Sequence, residues 1–526
     1  MNKNFTIILL TLLSVTSSIA QNAIDAATMG TFQSTGSARI MAMGNNSTAL
    51  GGDISAIYQN PAGLSQYRTN ELVLSPGLYF HSQRMEYDNA SFKDNRTRLN
   101  LGATGVILSF YSQKRQKVRR TNFGIALNQT ANFNTAFRYN GINRNSSYSE
   151  KWVEELISNN VQNIEDAFSF SPAGASLAVE NYLIDTSTNV NGQKGYITNA
   201  NTSFLPIDQR FTYRISGSVN ELAIGLSSHH TERFYYGMSL GIPMFSRTET
   251  TTVEENDASG NTDNDFASFR FKETIRTRGT GILLRGGIIF KPFEQFRIGF
   301  NIQSPAFYTL TRSMDANLKT DVENYAKKST NDPNRSQQFE LSTRDITGEN
   351  YFYDYQFSTP WQMSLALAYV FRETADTKLQ RAMITGGVEL INHRSARFSS
   401  SSEFDNSRSS SYFKEINNDV KSLFRPALQY KLGGELKWHT LMFRGGIQYL
   451  SSPYKKEVLP DGIKGYRLIP SLGIGYRDKG IFADFTYAHT LGDDVHFPYV
   501  LTGNIYPFAA ANINRGQILI TVGTKF

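Results

Sequence analysis

The last ten residues, QILITVGTKF, put Ile518, Ile520, Val522, Thr524 and Phe526 on one face of an extended chain, with Gln517, Thr521, Gly523 and Lys525 mostly on the other. From residue 71 onward this period of two keeps returning in segments of about ten residues. In QYKLGGELKW, Tyr430, Leu432, Leu436 and Trp438 alternate with Lys431, Gly433, Glu435 and Lys437. LMFRGGIQYL sets Phe443, Ile447 and Tyr449 against Arg444, Gly446 and Gln448, and FRIGFNIQ sets Phe296, Ile298, Phe300 and Ile302 against Arg297, Gly299, Asn301 and Gln303. PWQMSLALAYVF does the same from Trp361 to Phe371. Such a chain folds as strands with one greasy and one polar or small-residue face.

About fourteen such segments can be counted, from 71–82 to 515–526, an even number suited to a closed membrane barrel. Their connections alternate between long (83–97, 135–210, 255–267, 315–350, 400–426, 451–465, 491–514) and short. A sandwich has no reason to put its long loops at one end, whereas an outer-membrane barrel has. The fold class is therefore all-β, a transmembrane antiparallel barrel of about fourteen strands. The 40 glycines, 27 tyrosines and 36 phenylalanines suit aromatic girdles and a crowded wall. The absence of cysteine removes disulfides, thiol chemistry and Cys-based metal sites.

The first twenty residues place Lys3 before an apolar run from Phe5 to about Val15, then Ser18 and Ala20, the pattern of a secretory signal peptide cleaved before Gln21. Residues 21–70 follow as a Gly-rich, unpatterned plug, and 71–526 as the barrel. A fourteen-strand lumen is too wide for its own side chains to fill, so a plug is physically required. Pro61 fixes one backbone angle and Gly63 allows a tight turn, which makes Asn60–Gly63 the bend from plug to wall. A formal charge of +7 without a basic helix excludes nucleic acid as a partner.

Two irregularities stand out. In FRFKETIRTRGTGILLRGGIIF the apolar positions change from odd (Phe269, Phe271, Ile275) to even (Ile282, Leu284, Ile288, Phe290), which predicts a bulge near Gly279–Gly281, with a similar switch near Gly217–Glu221. Such bulges either open the wall or only adjust its curvature. The segment 135–210 is too long for bare coil. Trp152, Val153, Leu156, Ile157, Val161 and Ile164 recur at helical spacing, as do Leu177, Val179, Tyr182 and Leu183, predicting two short amphipathic helices. Their apolar faces form either a landing groove for hydrophobic ligand or a self-packed lid.

The segment GSARIMAMGNNSTALGGDISAIYQNPAGLSQY, with Asn60, Pro61 and Ala62 just ahead of the first strand, resembles the N-terminal region of the FadL-type outer-membrane transporters of long-chain fatty acids. TNFGIALNQTANFN and STPWQMSLALAYVF are similar to barrel strands of that family. The resemblance implies a monomeric barrel in the outer membrane of a Gram-negative cell, in contact with membrane lipid and lipopolysaccharide. It implies closure by an N-terminal hatch, capture of fatty acid in an outer groove and sideways release, without cofactor or catalysis. A haem receptor or adhesin working through the outer loops is the alternative.

Arg285, Arg297 and Arg444 are expected to face the lumen, where they either hold a substrate carboxylate or form ion pairs with acids such as Glu389, Glu435 and Asp484. Gly-Met-Ser-Leu-Gly at 237–241 fits a nucleophile elbow only if strand gives way to helix there, and Ser239 lies inside an alternating run. His229 and His230 are adjacent on a strand and so point to opposite faces, which argues against a metal. The acidic run 254–265 lacks calcium-loop spacing.

Overall fold

The computed structural model describes residues 26, 29–30, 36–88, 90–114, 117–188, 194–200, 206–349, 351–371, 381–401, 407–501 and 507–526. The signal-peptide reading of 1–20 and most of 21–35 lie outside them. Fourteen antiparallel strands follow one another round a closed barrel. Several consist of two pieces: β1 (Glu71–Leu74 and Pro76–Tyr87), β2 (Ala90–Leu101 and Thr104–Lys114) and β3 (Lys117–Asn132 and Thr135–Asn143). Next come β4 (Ile207–Thr231), β5 (Phe234–Asp257), β6 (Ser268–Phe290), β7 (Phe296–Gln303 and Phe307–Asp321) and β8 (Tyr351–Ser358 and Gln362–Phe371). The wall continues through β9 (Ala382–Asn392 and Arg397–Ser400), β10 (Pro426–Trp438), β11 (Leu441–Leu450), β12 (Arg467–Asp478), β13 (Ile481–His496) and β14 (Ala509–Lys525). The cylinder closes where β14 meets β1, with Glu71 opposite Lys525 and Gly77 opposite Leu519. In the lower wall closure leaves no sheet edge and satisfies the ladder bonds, the condition for crossing lipid with strands. Among the described residues no helix is long and apolar enough to cross a membrane.

The expected faces hold in the lower wall. Tyr430, Leu432, Leu436 and Trp438 are exposed outward, as are Phe443, Ile447, Tyr449, Leu365, Leu367, Ile520 and Val522. Together they form an apolar band far larger than a soluble surface carries.

The bulge expected at Gly279–Gly281 is absent. The pairing of β6 with β5 keeps one register from Phe234–Phe290 to Asn256–Ser268, and odd-numbered side chains point inward along the whole strand. The apolar phase inverts because β6 outruns the membrane. Its lower half turns Ile282, Leu284, Ile288 and Phe290 to lipid, while its upper half turns Phe269 and Phe271 into a protein core above it. β4 likewise keeps one register with β5 past Gly217–Glu221. The irregularity lies on its neighbour, where β3 shifts register between Gln129 and Ala131 and then breaks before Thr135. The strands also replace one expected long loop, 83–97, since β1 runs to Tyr87 and β2 resumes at Ala90, while the loop expected at 255–267 remains as 258–267.

The break in β3 has a consequence for the wall. The outer piece of β2 pairs with β1, and the outer piece of β3 pairs with β4, but among the described residues no ladder joins these two pieces. The outer piece of β3 instead packs behind the β1–β2 hairpin. There the Thr135 hydroxyl lies 2.9 Å from His81 and 3.1 Å from Gln83, and the Ile142 amide donates to Asp88.

Candidate functional site: the hatch and the lumen

Residues 36–70 sit inside the lower barrel. Ser37 caps the helix α1 (Ala38–Ala42), and its hydroxyl donates to Asp53, which also accepts from the Ser55 amide. A second short helix, α2 (Ala56–Gln59), leads to Asn60. Asn60 Oδ1 accepts from the Ala62 amide and so caps the short 3-10 helix Pro61–Gln66, with Pro61 at the first position, where no amide is needed. Its Nδ2 donates 2.6 Å to the Thr48 carbonyl and lies 3.1 and 3.3 Å from the carbonyls of Ile288 and Phe300 in the wall. One side chain thus ties two parts of the hatch to β6 and β7. A methyl group on Gly63 would lie 2.9 Å from both Ala56 Cβ and the Leu50 carbonyl oxygen, so the turn closes against the hatch itself.

The wall receives the hatch on bare backbone. Methyl groups on Gly287, Gly299, Gly433 or Gly446 would overlap Asn60, Thr48, Met43 and Gly44 respectively. Gly237 faces Pro61 as closely, and the Ser239 hydroxyl donates 2.8 Å to the Ile57 carbonyl. The Gly-x-Ser-x-Gly pattern is therefore a hatch contact on an unbroken strand.

The three arginines do face inward, and each is engaged. Arg285 forms a bidentate pair with Glu221 and donates from Nε to Gln303 at 2.7 Å. Arg297 donates 2.8 Å to Gln66 of the hatch. Arg444 donates 2.6 Å to Glu435 and 2.6 Å to Asp484, and Glu435 also pairs with Arg39 of the hatch at 3.3 Å. Lys431 pairs with Glu389. Paired charges tolerate such burial because each offsets the other's lost hydration. Arg39–Glu435 and Arg297–Gln66 tie the hatch to the wall, while the other pairs join wall strands to one another.

Above the hatch the lumen turns apolar. A helix in the outer segment between β9 and β10, α6 (Ser407–Leu423), turns Phe413, Ile416 and Val420 inward. They join Phe424, Phe133, Phe245, Tyr308, Tyr355, Phe357 and Phe398 in one cluster that reaches Ala26 and Met29 of the N-terminal segment. This helix was not expected, although Phe413, Ile416, Val420 and Phe424 carry helical spacing in the sequence. Among the described residues the Tyr308 hydroxyl is buried without a hydrogen-bond partner.

At the mouth, the described residues of 135–210 hold three helices rather than two: α3 (Glu150–Ser158), α4 (Ile164–Phe170) and α5 (Ala175–Glu180). Asn160, at φ +54°, ends the first, and the Ser171–Gly174 link, which contains Pro172, separates the others. Trp152, Leu156, Leu177 and Leu183 are brought together in a closed core with Phe269 and Phe271 of the upper wall. Trp152 packs edge-on to Tyr148 at 5.3 Å and to Phe271 at 4.9 Å. Ile157 is left exposed, and Tyr182 stands apart, 4.8 Å from the Phe339 ring and accepting from Arg335. These helices pack on the barrel as a lid.

A cylinder of this kind, stoppered by its own N-terminal segment and greasy in mid-lumen, is a hatch-plugged membrane barrel. Among solved structures it is similar to the crystal structure of a FadL homologue of Pseudomonas aeruginosa. That similarity has a TM-score of 0.55 at 11% identity, covering 94% of this chain and 100% of that one. The toluene transporters TodX of Pseudomonas putida and TbuX of Ralstonia pickettii align over 93% of this chain. They are covered over 97% and 98% of their lengths, at 13% and 14% identity and TM-scores of 0.46 and 0.47. No family model matches the sequence, and no curated protein does. The chain has the FadL-type fold.

Proposed function

We propose that the protein is an outer-membrane channel through which hydrophobic compounds, long-chain fatty acids foremost, diffuse without an energy source. The carrying observation is the apolar cluster between α6 and Met29, enclosed in a lumen whose hatch-level wall is polar. A pore for water-soluble solutes has no use for such a layer, whereas an alkyl chain gains about 0.8 kcal/mol for each methylene it buries. In this reading the mouth lid admits the ligand and the mid-lumen cluster holds it. The unpaired seam between the outer pieces of β2 and β3 releases it sideways once α6 or the hatch gives way. The paired lumen arginines then act as fastenings of hatch and wall rather than as carboxylate ligands. The resemblance of the Asn60–Ala62 region and the shared fold support the same assignment.

The test is uptake of radiolabelled oleate in a host lacking its own fatty-acid channel. Uptake that depends on the protein and is lost on deleting residues 21–66 is expected. Uptake unchanged by the whole protein would contradict the channel and favour a receptor or adhesin.

A further inference from the structure

Outside the barrel, β6 carries a polarity frontier. Reading outward-facing residues from the bottom, Phe290, Ile288, Leu284 and Ile282 are exposed and apolar; Thr280 then gives way to Arg278, Arg276, Thr274, Lys272 and Arg270. At about 3.3 Å per residue, Arg278 stands about 13 Å above Ile282 and Arg276 about 7 Å further on. Arg214 of β4 faces outward in the row of Thr250 and Thr274, two residues further along the strands than Arg276, which lies in the row of Ser216 and Thr248. Arg214, Arg276 and Arg278 are exposed, and none forms an ion pair among the described residues. Between them the wall offers only hydroxyls: Ser216, Ser218, Ser246, Thr248 and Thr250. On β4–β6 the exposed charges at this level are all cationic, with Asp315 of β7, opposite Thr274, the nearest acid on the face; cations at the edge of a lipid-facing band sit where the headgroups of the outer leaflet begin.

Higher on the same face the strands form a shallow polar groove of about 240 Å³, lined by Glu254, Arg270, Lys319, Asp321 and Gln338 among others. Glu254 is held there by Arg210 and Arg270, so the groove is balanced in charge. Phosphate-binding cations below and a hydroxyl-compatible groove above match, in order, the parts of one molecule. Its acyl chains would lie on the apolar band, its phosphates on the arginines and its sugars in the groove.

We propose that the outer face of β4–β7 binds a phosphorylated glycolipid of the outer leaflet, with Arg214, Arg276 and Arg278 holding its phosphates. The inference rests on the membrane placement of the barrel but not on what passes through the lumen. Hydrophobic uptake can fail with lipid binding intact, and the reverse. Guanidinium groups suit this role because they bind phosphate oxygens bidentately and stay charged at any working pH.

The full-length protein in non-ionic detergent is titrated with bis-phosphorylated lipid A and with its dephosphorylated form, followed by native mass spectrometry. Substituting all three arginines (R214A, R276A and R278A) is expected to weaken binding of the phosphorylated lipid by about tenfold or more, since each cation near an anionic surface contributes measurably. The dephosphorylated lipid on the native protein is expected to bind as weakly as the intact lipid does to that variant. The three Arg→Lys substitutions keep the charge but lose the bidentate fork and are expected to bind the phosphorylated lipid at a level between the native and alanine proteins, which guards against misfolding of the alanine variant. Equal binding by the native and alanine proteins, or equal binding of both lipids, would overturn the assignment.

Discussion

The two halves of β6 obey the same period and opposite rules. Below Thr280 the apolar side chains face out and the inward positions are Leu283, Arg285, Gly287 and Ile289; above it Phe269 and Phe271 face in and the cations face out. The strand does not bend or slip between them. What changes is the solvent on each side: lipid outside and a polar hatch inside below, water outside and an aromatic lid inside above. The phase of an alternating pattern therefore reports which neighbour is apolar, and a phase change along one strand can mark the membrane boundary as well as a bulge.

The sharpest way to break this comparison uses two adjacent glycines of the lower half. Gly287 faces Asn60, whereas an added methyl on Gly286 would meet only Ile302 Cγ2 at 4.0 Å. Gly287→Leu is expected to unseat the hatch, giving ion conductance in planar bilayers or no folded barrel, and Gly286→Leu is expected to leave a closed, folded channel. Indistinguishable variants would mean that the hatch does not seat on this wall. Next in size are the ion pairs. Glu221→Ala strands buried Arg285 and is expected to cost about 3–5 kcal/mol in chemical unfolding. Glu254→Ala, which removes two solvent-accessible pairs of the upper wall, is expected to cost about 0–1 kcal/mol.

The apolar residues sharpen the same contrast. Phe271→Ala opens the mouth core and is expected to destabilise by about 3–5 kcal/mol, while Leu284→Ala, already against lipid, is expected to lose clearly less. The smallest effect concerns pH. Burial, with Glu415 second, pushes the Asp419 carboxyl in α6 up to about 6. Its pKa unfolded is about 3.9, so seating α6 is most favourable at low pH and weakens between about pH 4 and about pH 6 as the buried carboxyl must ionise. Hydrogen exchange of 407–423, corrected for intrinsic rates, is expected to show more protection at pH 5 than at pH 7.5. Asp419→Asn is expected to flatten that difference.

Much of the lower barrel was legible because its neighbours are simple: lipid outside demands large apolar residues, so the strand count, the lipid faces and the inward arginines follow from the period. Asn60–Gly63 reads in the sequence as the bend from plug to wall, but Asn60 caps a short helix within the hatch and the wall begins at Glu71. The upper barrel was harder to read because its core is built from distant pieces, Phe271 against Trp152 and Phe413 against Tyr355, whose pairing no local pattern announces. Inward glycines such as Gly287 and Gly446 read as weak strand positions until the hatch backbone is seen resting on them. The helix α6 was missed although its spacing was present, since polar residues such as Lys414, Glu415 and Asn417 interrupt it.

The claim that the N-terminal segment is a stopper which must shift for transport is most directly tested by fastening it. The Thr48 hydroxyl of the hatch and the Ser364 hydroxyl of β8 are 3.4 Å apart, and the chain has no cysteine to interfere. In the double variant Thr48→Cys/Ser364→Cys, oxidation is expected to stop uptake of labelled oleate and reduction to restore it. Full uptake with the cross-link verified in place would contradict the account.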